Sequence, residues 1–343
     1  MKILYGVCGE GFGHSSRAKT VLDHLKQGGH EVLLLTYGQA YETLKEFNPV
    51  NIFGIEIEYK KGKMSILRSY LKNRKTFYRK LKDYPKLRQI VNDFSPEVCI
   101  SDMEPIVPIL SFWKNLPLIS IDNQHSLIFS KLKVPLNQIK DYFLAKRVVR
   151  RCITNADYFF ILSFLKIKTQ QKNVFFVSPL LRDEIIKLKP TSGNFTLVYL
   201  SKPDDNLIKT LQKTKQKYII YGQKNSGKTK YITYKKKGKA FVSDLKKCKA
   251  IVATSGFSLM SEALYLKKPY FAIPLKGQFE QMANSLFLRD SGFGEYSINP
   301  TKEDLEHFSK NYKNYKQNLK DYSSNPSEAL KRLDKALKKI KRQ

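Results

Sequence analysis

The sequence predicts an α/β protein of two doubly wound domains, each a largely parallel sheet covered by helices. Three observations carry this expectation. The chain has 343 residues, enough for two cores of ordinary domain size. Lys2–Val7 reads as a buried strand, and a glycine-rich turn and a helix follow it directly. Phe195–Leu200 opens a second unit in the same manner, and Ala250–Ile273 repeats strand, small-residue turn, helix and strand within that unit.

Composition narrows the class. Apolar residues make up 42% of the chain, as in a globular protein. Lys and Arg number 62 against 30 Asp and Glu, giving a net charge of +32 that attracts anionic partners. Lys, Asn, Ile, Tyr and Phe are abundant together, so a compositional bias accounts for part of the charge. Cys8, Cys99, Cys152 and Cys248 show neither Cys-x-x-Cys nor metal-ligand spacing. Cys8, Cys99 and Cys248 fall in or beside apolar runs and read as buried thiols in a reducing compartment. No apolar h-region opens the chain and no run of 18 apolar residues occurs, so the expected location is the cytoplasm.

After the first strand comes Gly9-Glu10-Gly11-Phe12-Gly13-His14-Ser15-Ser16-Arg17. Ala18, Val21, Leu22 and Leu25 then make a helix face, with Ser15 or Ser16 as the expected N-cap and Gly28-Gly29 as the stop. The glycine spacing is not Gly-x-Gly-x-x-Gly, and no acidic residue ends the next strand, Glu31–Tyr37, which argues against a dinucleotide site. His14 has two readings: a capping or surface residue, or a base at a strand–helix turn where α/β sites form. Ile52–Glu58 reads as a strand. Lys60–Arg88 carries twelve Lys and Arg and one acid, with Ile66, Leu67, Tyr70, Phe77, Tyr78 and Leu81 at helical spacing. This basic amphipathic helix suits an anionic bilayer or, equally, a domain surface with a solvated basic face. The strand Pro96–Asp102 ends in Asp102, either a ligand-edge carboxylate or an N-cap for the helix begun by Met103-Glu104-Pro105. Leu118–Ile121 ends in Asp122-Asn123-Gln124-His125, which makes His125 a second candidate base beside the ligand edge. Asp141–Arg151 reads as a helix, and Tyr158–Leu162 and Val174–Val177 as the last strands of the first domain.

In the second half, Asn206–Lys215 reads as a helix and Lys217–Tyr221 as a strand. Gly222–Thr229 matches the Walker A pattern, but Tyr231-Ile232-Thr233-Tyr234 follows it with strand-forming residues, so a basic hairpin is expected in place of a phosphate loop. Thr254-Ser255-Gly256 interrupts the strand Ala250–Ala253 and presents backbone N–H groups at a helix start, a ready phosphate site. Glu262 lies one and a half turns into that helix, where a carboxylate can accept from a ribose diol. Lys267-Lys268 and Pro269 end the helix. Glu280, Gln281 and Asn284 begin the next one. Asn325-Pro326-Ser327-Glu328 reads as a capping box before a final helix striped by Leu330, Leu333, Leu337 and Ile340.

A small-residue turn, then Ser261-Glu262-Ala263, then Pro269, then Glu280-Gln281 and Asn284 resembles the nucleotide-sugar half of a GT-B glycosyltransferase. It is most similar to the branch of the peptidoglycan GlcNAc transferases and UDP-glucuronosyltransferase-like enzymes, and the first loop resembles that branch too. The resemblance implies two Rossmann-like domains facing across a cleft: residues 1–178 for the acceptor and 179–324 for the donor, with 325–343 a helix that crosses back. It implies an inverting transfer of a hexose or N-acetylhexosamine from a nucleotide sugar, UDP-linked, to a hydroxyl of a lipid or cell-envelope acceptor. By the same resemblance His14 is the base and Asp102 orients it. Gly13, Ser255, Gly256 and Ser258 approach the diphosphate, Glu262 the ribose, and Gln281 and Asn284 the sugar or diphosphate. Gly11 and His125 line the acceptor side, and Ser178–Arg182 resembles the interdomain hinge.

No Asp-x-Asp occurs, so a metal-independent reaction without a cofactor is expected, with helix dipoles stabilising the leaving group. The resemblance favours membrane contact through 60–88, on the inner face of the cell membrane, and no nucleic acid as partner. Two other readings stand beside it: a UDP-GlcNAc 2-epimerase-like enzyme of the same fold, and a nucleic-acid-binding protein suggested by charge alone.

Overall fold

The computed structural model describes residues 1–54, 59–60, 63–64, 71, 73–74, 84–223, 226–236 and 238–342. Most of the expected amphipathic helix 60–88, and residues 55–58 of the expected strand Ile52–Glu58, lie outside the described residues. The chain divides into two compact units, one of residues 1–131, 135–182 and 325–343, the other of 132–134 and 183–324. Helices of nine residues or more are labelled below.

The first unit holds β1 (Lys2–Val7), α1 (Phe12–Gln27), β2 (Glu31–Thr36), β3 (Val50–Asn51), α2 (Tyr84–Phe94), β4 (Val98–Asp102), α3 (Ile106–Lys114), β5 (Leu118–Asp122), α4 (Ile139–Cys152), β6 (Tyr158–Leu162) and β7 (Val174–Val177). Its strands are parallel in the order 3-2-1-4-5-6-7. The chain winds outward from β1 in one direction, then returns to place β4 on the other side of β1. Between those two strands lies the topological switch point, where open α/β sheets bind ligands. Val7 is in register with Asp102 there, so the first loop and the end of β4 share one edge. β4 and β5 are buried throughout, and β1 at all but its first residue, which is why they read as continuous apolar runs.

The second unit holds β8 (Thr196–Tyr199), α5 (Asp205–Lys213), β9 (Tyr218–Tyr221), β10 (Gly227–Lys228), β11 (Ile232–Tyr234), α6 (Lys239–Lys247), β12 (Ala250–Thr254), α7 (Phe257–Tyr265), β13 (Tyr270–Ile273), α8 (Phe279–Asp290), β14 (Gly294–Tyr296) and α9 (Lys302–Lys310). Its sheet runs 10-11-9-8-12-13-14, parallel except for β10 against β11. The switch point lies between β8 and β12, so the turn after Thr254 occupies the ligand edge. Gly227–Lys228 pairs antiparallel with β11, so no helix follows the Walker-like stretch (residues 224–225 of it lie outside the described ones).

The final helix, α10 (Glu328–Ile340), belongs to the first unit. Leu333 and Leu337 are buried, and Asp334 meets His24 Nε2 at 2.8 Å. The expected capping box does not form. Asn325 Oδ1 does accept from the Ser327 N–H at 3.2 Å, but the reciprocal half is missing, because Glu328 turns away to accept from the Ser178 amide at 3.1 Å and hydroxyl at 3.0 Å. The first helix also differs from expectation: it starts at Phe12, three residues before Ser15, with Gly11 as N-cap. Gly11 takes φ 83°, a conformation that favours glycine. The first turn can therefore begin without a side-chain cap. Among the described residues no helix is long and apolar enough to cross a membrane.

Candidate active site

In the first unit the site is assembled from three strand ends. Gly9 lies so close to Tyr37 that a Cβ would stand 2.2 Å from the Tyr37 carbonyl oxygen, which fixes glycine there. The loop then enters α1, whose first turn carries His14, with Gly13 half-buried before it. Asp102, wholly buried at the end of β4, faces two residues of that helix. Its Oδ1 is 2.8 Å from His14 Nδ1, and its Oδ2 accepts from Arg17 Nε at 2.6 Å. Arg17 Nη2 also donates to Oδ1 and lies 2.7 Å from His14 Nδ1, while its Nη1 donates to Asn123 Oδ1 at 2.8 Å.

These contacts select a tautomer. Arg17 Nη2 only donates and alone would favour a lone pair on His14 Nδ1, so the Asp102 carboxylate and the Gln124 amide decide where the proton sits. Asp102 accepts, so the His14 proton belongs on Nδ1 and the lone pair on Nε2. The Gln124 amide nitrogen, 3.3 Å from Nε2, is placed to donate to that lone pair. Burial pushes the Asp102 carboxyl up, but the Arg17 guanidinium and His14 more than offset it and hold the group below the usual carboxylate range. The result is a charged, oriented acid beneath an imidazole that can accept a proton.

His125 is not part of that cluster. Its Nδ1 lies 2.7 Å from Asp122 Oδ2, its backbone N–H donates to Asp122 Oδ1 at 2.8 Å, and Ser120 donates to the same carboxylate. Phe159 packs on its ring at 4.9 Å, and the side chain is 1% exposed. The pair closes the turn that carries Asn123 and Gln124 to Arg17 and His14. The alternative reading of Asp102 as an N-cap fails, because Glu104 takes that role: its carboxylate accepts from Ile106 and Val107 N–H at 2.8 Å. Burial raises the Glu104 carboxyl to about 7.

In the second unit, β12 delivers Ser255 and Gly256 to the start of α7. Gly256 is the N-cap and brings no side chain to the first turn. Gly256 and Ser258 are half-buried. Ser255 and Asn284 are buried: Ser285 Oγ donates to Ser255 Oγ at 2.7 Å, and Asn284 Nδ2 donates to the Ser255 carbonyl at 3.0 Å. Their side chains thus hold the turn to α8. Glu262 is 5% exposed within α7. Gln281 accepts from the Leu275 amide at 3.1 Å and donates to Gln278 at 2.7 Å, bracing the loop after β13.

The sequence reading missed Arg17 and Ser285. For Arg17 the signal was its spacing: His14 and Arg17 are i and i+3 on one helix, so both reach one carboxylate. Among the described residues no group of three or more His, Cys, Asp and Glu is arranged to hold a metal ion.

The sequence model of Glycosyl transferase family 1 matches residues 1–312. An uncharacterized glycosyltransferase of Methanosarcina mazei is 26% identical over 341 residues, covering 88% of this chain and 87% of its own. The structure of Phytolacca americana UGT2 complexed with UDP-2fluoro-glucose and pterostilbene aligns with a TM-score of 0.70 at 11% identity over 98% of both chains. The spinosyn rhamnosyltransferase SpnG complexed with thymidine diphosphate aligns with a TM-score of 0.63 at 11% identity, over 97% of this chain and 100% of its own. Both have the fold described above.

Proposed function

Because the chain belongs to glycosyl transferase family 1 and is a glycosyltransferase, we propose that it moves a hexose or N-acetylhexosamine from a UDP-linked sugar to a hydroxyl of a lipid or cell-envelope acceptor. His14 is the base. Its Nε2 takes the hydroxyl proton, the acceptor oxygen attacks the anomeric carbon, and the nucleoside diphosphate departs with the bonding pair, which inverts the centre. Asp102 fixes the Nδ1–H tautomer and balances the imidazolium that forms. The Gln124 amide holds the place of the acceptor hydroxyl until it arrives.

The observation that carries this reading is the 2.8 Å pairing of His14 with a buried Asp102 at the switch point of the first sheet. In the second unit, the first turn of α7 receives the diphosphate through backbone N–H groups and the positive end of the helix dipole. Gly256 and Ser258 offer the closest approach, and Glu262 takes the ribose. Ser255, Gln281 and Asn284 act by shaping the loops that line the phosphates. The reaction uses no metal and no cofactor, the enzyme works in the cytoplasm, and segment 60–88 brings it to the inner face of the membrane. Relatives of the same fold bound to a UDP-sugar analogue and to thymidine diphosphate support a nucleoside diphosphate as the leaving group.

The test is a thermal-shift panel of UDP, GDP and TDP, with and without EDTA, followed by a hydrolysis-corrected transfer assay with the sugar of the best binder. A ligand at about a hundred times its Kd adds about 2.7 kcal/mol to the stability of its site. A shift with one nucleoside diphosphate, unchanged by EDTA, is the expected outcome. No shift with any of them, or a shift that requires a divalent ion, would overturn the reading.

A further inference from the structure

Ten large apolar side chains are exposed among the described residues, and seven of them fall within 109–148: Ile109, Phe112 and Trp113 on α3, Leu136 ahead of α4, and Phe143, Leu144 and Val148 on α4. Phe112 is 82% exposed and Phe143 63%. Both helices lie on one face of the first sheet. They bridge consecutive parallel strands in the same direction, and right-handed crossovers then place them side by side. Both feed one core cluster, through Val107 and Leu110 of α3 and Cys152 of α4. Their outer surfaces are therefore neighbours.

Cations are interleaved with these side chains. Along α4, Lys140, Phe143, Leu144, Arg147, Val148 and Arg151 recur at i, i+3, i+4, i+7, i+8 and i+11, which is one helical face. Lys140, Arg147 and Arg151 are exposed and make no ion pair among the described residues. Beside the other helix, Arg88, Asn92, Leu110, Trp113 and Lys114 line a cavity of about 300 Å³. That cavity sets two cations against an indole, and Tyr84 packs edge-on to the same ring at 6.0 Å.

We propose that α3 and α4 form a docking surface for an anionic lipid bilayer, with the α2–α3 cavity taking a phosphate headgroup. Isolated apolar residues on a surface need no explanation, but seven on two adjacent helices, interleaved with unpaired cations, do. Charge complementarity selects an anionic partner. The apolar chemistry then chooses among anionic partners. Single-stranded nucleic acid is gripped by aromatic faces, and Ile109, Leu136, Leu144 and Val148 offer none. Aliphatic side chains beside Trp and Phe enter the boundary between headgroups and acyl chains, while Lys and Arg reach back to the phosphates. The surface deepens the proposed function, since it would bring the catalytic unit to a lipid acceptor. Apart from Arg88 and Tyr84 at the cavity, it uses residues outside segment 60–88, and it does not depend on the donor site.

The chain supplies its own probe, because Trp113 is the sole tryptophan. Added to phosphatidylcholine vesicles containing phosphatidylglycerol, the unmodified protein should co-float with them, and Trp113 emission should shift to the blue and become quenchable by brominated acyl chains. Pure phosphatidylcholine should produce neither effect. Arg147→Gln with Arg151→Gln should weaken partitioning on the order of 10-fold or more. Phe112→Ser with Phe143→Ser should weaken it at least about 10-fold. All four positions are exposed, so the melting temperature and the nucleoside-diphosphate shift of each variant should stay at the parent values. Flotation without a Trp113 shift, equal binding to pure phosphatidylcholine, or preferential capture by a single-stranded RNA would overturn the proposal. A failed nucleoside-diphosphate shift with intact flotation would instead sink the donor reading alone.

Discussion

Arg17 places a guanidinium on both oxygens of Asp102 and brings a third contact to His14, so the proposed base shares its carboxylate with a permanent cation. The arrangement keeps Asp102 charged although it is fully buried: burial disfavours the anion, and Arg17 with His14 restores it. With its pKa depressed, the stability that Asp102 contributes is present above the ordinary carboxylate value and is lost only as the pH falls below it. Asp102→Asn would let His14 adopt the opposite tautomer, with the proton on Nε2, and we expect kcat to fall about 10²–10⁴-fold, the usual range for a positioned base. Arg17→Lys keeps the charge but loses the fork that spans both oxygens. Its expected signature is a lower kcat with the donor KM little changed, and nitrogen chemical shifts of His14 that report a mixture of tautomers. An Arg17→Lys enzyme with parental kcat and a single Nδ1–H tautomer would remove Arg17 from the mechanism. The positions of His14 and Asp102 were readable from the sequence because one follows the turn after a strand at the ligand edge and the other closes a strand there. Arg17 was not, because an arginine in the second turn of a helix normally faces water. Its burial comes from a partner 85 residues away, which no local pattern records.

The corner from Asp122 to His125 shows how one element serves another. Burial raises the Asp122 carboxyl, but His125 and three hydrogen bonds outweigh that and bring it down to about 2. Burial lowers the His125 imidazole, and Asp122 outweighs that in turn and raises it above 6.5. The carboxylate contributes fully above its ordinary value of 3.8, and its contribution is lost as the pH falls toward about 2. The imidazole contributes fully below 6.5 and loses its contribution as the pH rises through its raised value. Asp122→Asn, which leaves a buried cation unpaired, should therefore cost about 3–5 kcal/mol, with the melting-temperature gap to the parent widest between these limits. A gap that stays constant from acid to alkaline pH would mean that the pair contributes packing alone. Termini of elements were the least legible features, for an identifiable reason. Ser15 looked like a cap, but Gly11 starts α1 earlier because the turn needs positive φ and no side chain. Glu328 looked like part of a capping box, but Ser178 claims its carboxylate from across the unit. Where a local cap had no distant competitor, at Thr301 and Asp304, the full capping box forms.

At the scale of the whole molecule, the two sheets repeat one plan: strands wind outward from a central one, reverse, and leave a switch point at which a small-residue turn meets a helix. That plan was legible because parallel strands covered on both faces must be apolar throughout, and the turns between them break the run with glycine and serine. The net charge of +32 was equally visible, but its meaning was not, because charge alone fits a nucleic acid, a membrane or a phosphorylated ligand. Rates separate these partners. If the field of the chain serves to gather a nucleoside-diphosphate sugar, stopped-flow association of the donor should slow about 10-fold or more from low to high ionic strength, and dissociation should change little, because steering acts on the encounter. Hydrogen exchange with the same ligand should show slowed amides in 254–266 and 273–285, around the uncapped start of α7, and should be unaffected by EDTA. A nucleic acid held by the same charge would behave differently. Its equilibrium affinity would fall as a steep power of salt, and protection would follow the exposed lysines and bypass the turn after Thr254. Protection confined to that turn, together with a salt effect confined to association, is the combination that only the donor-binding reading produces.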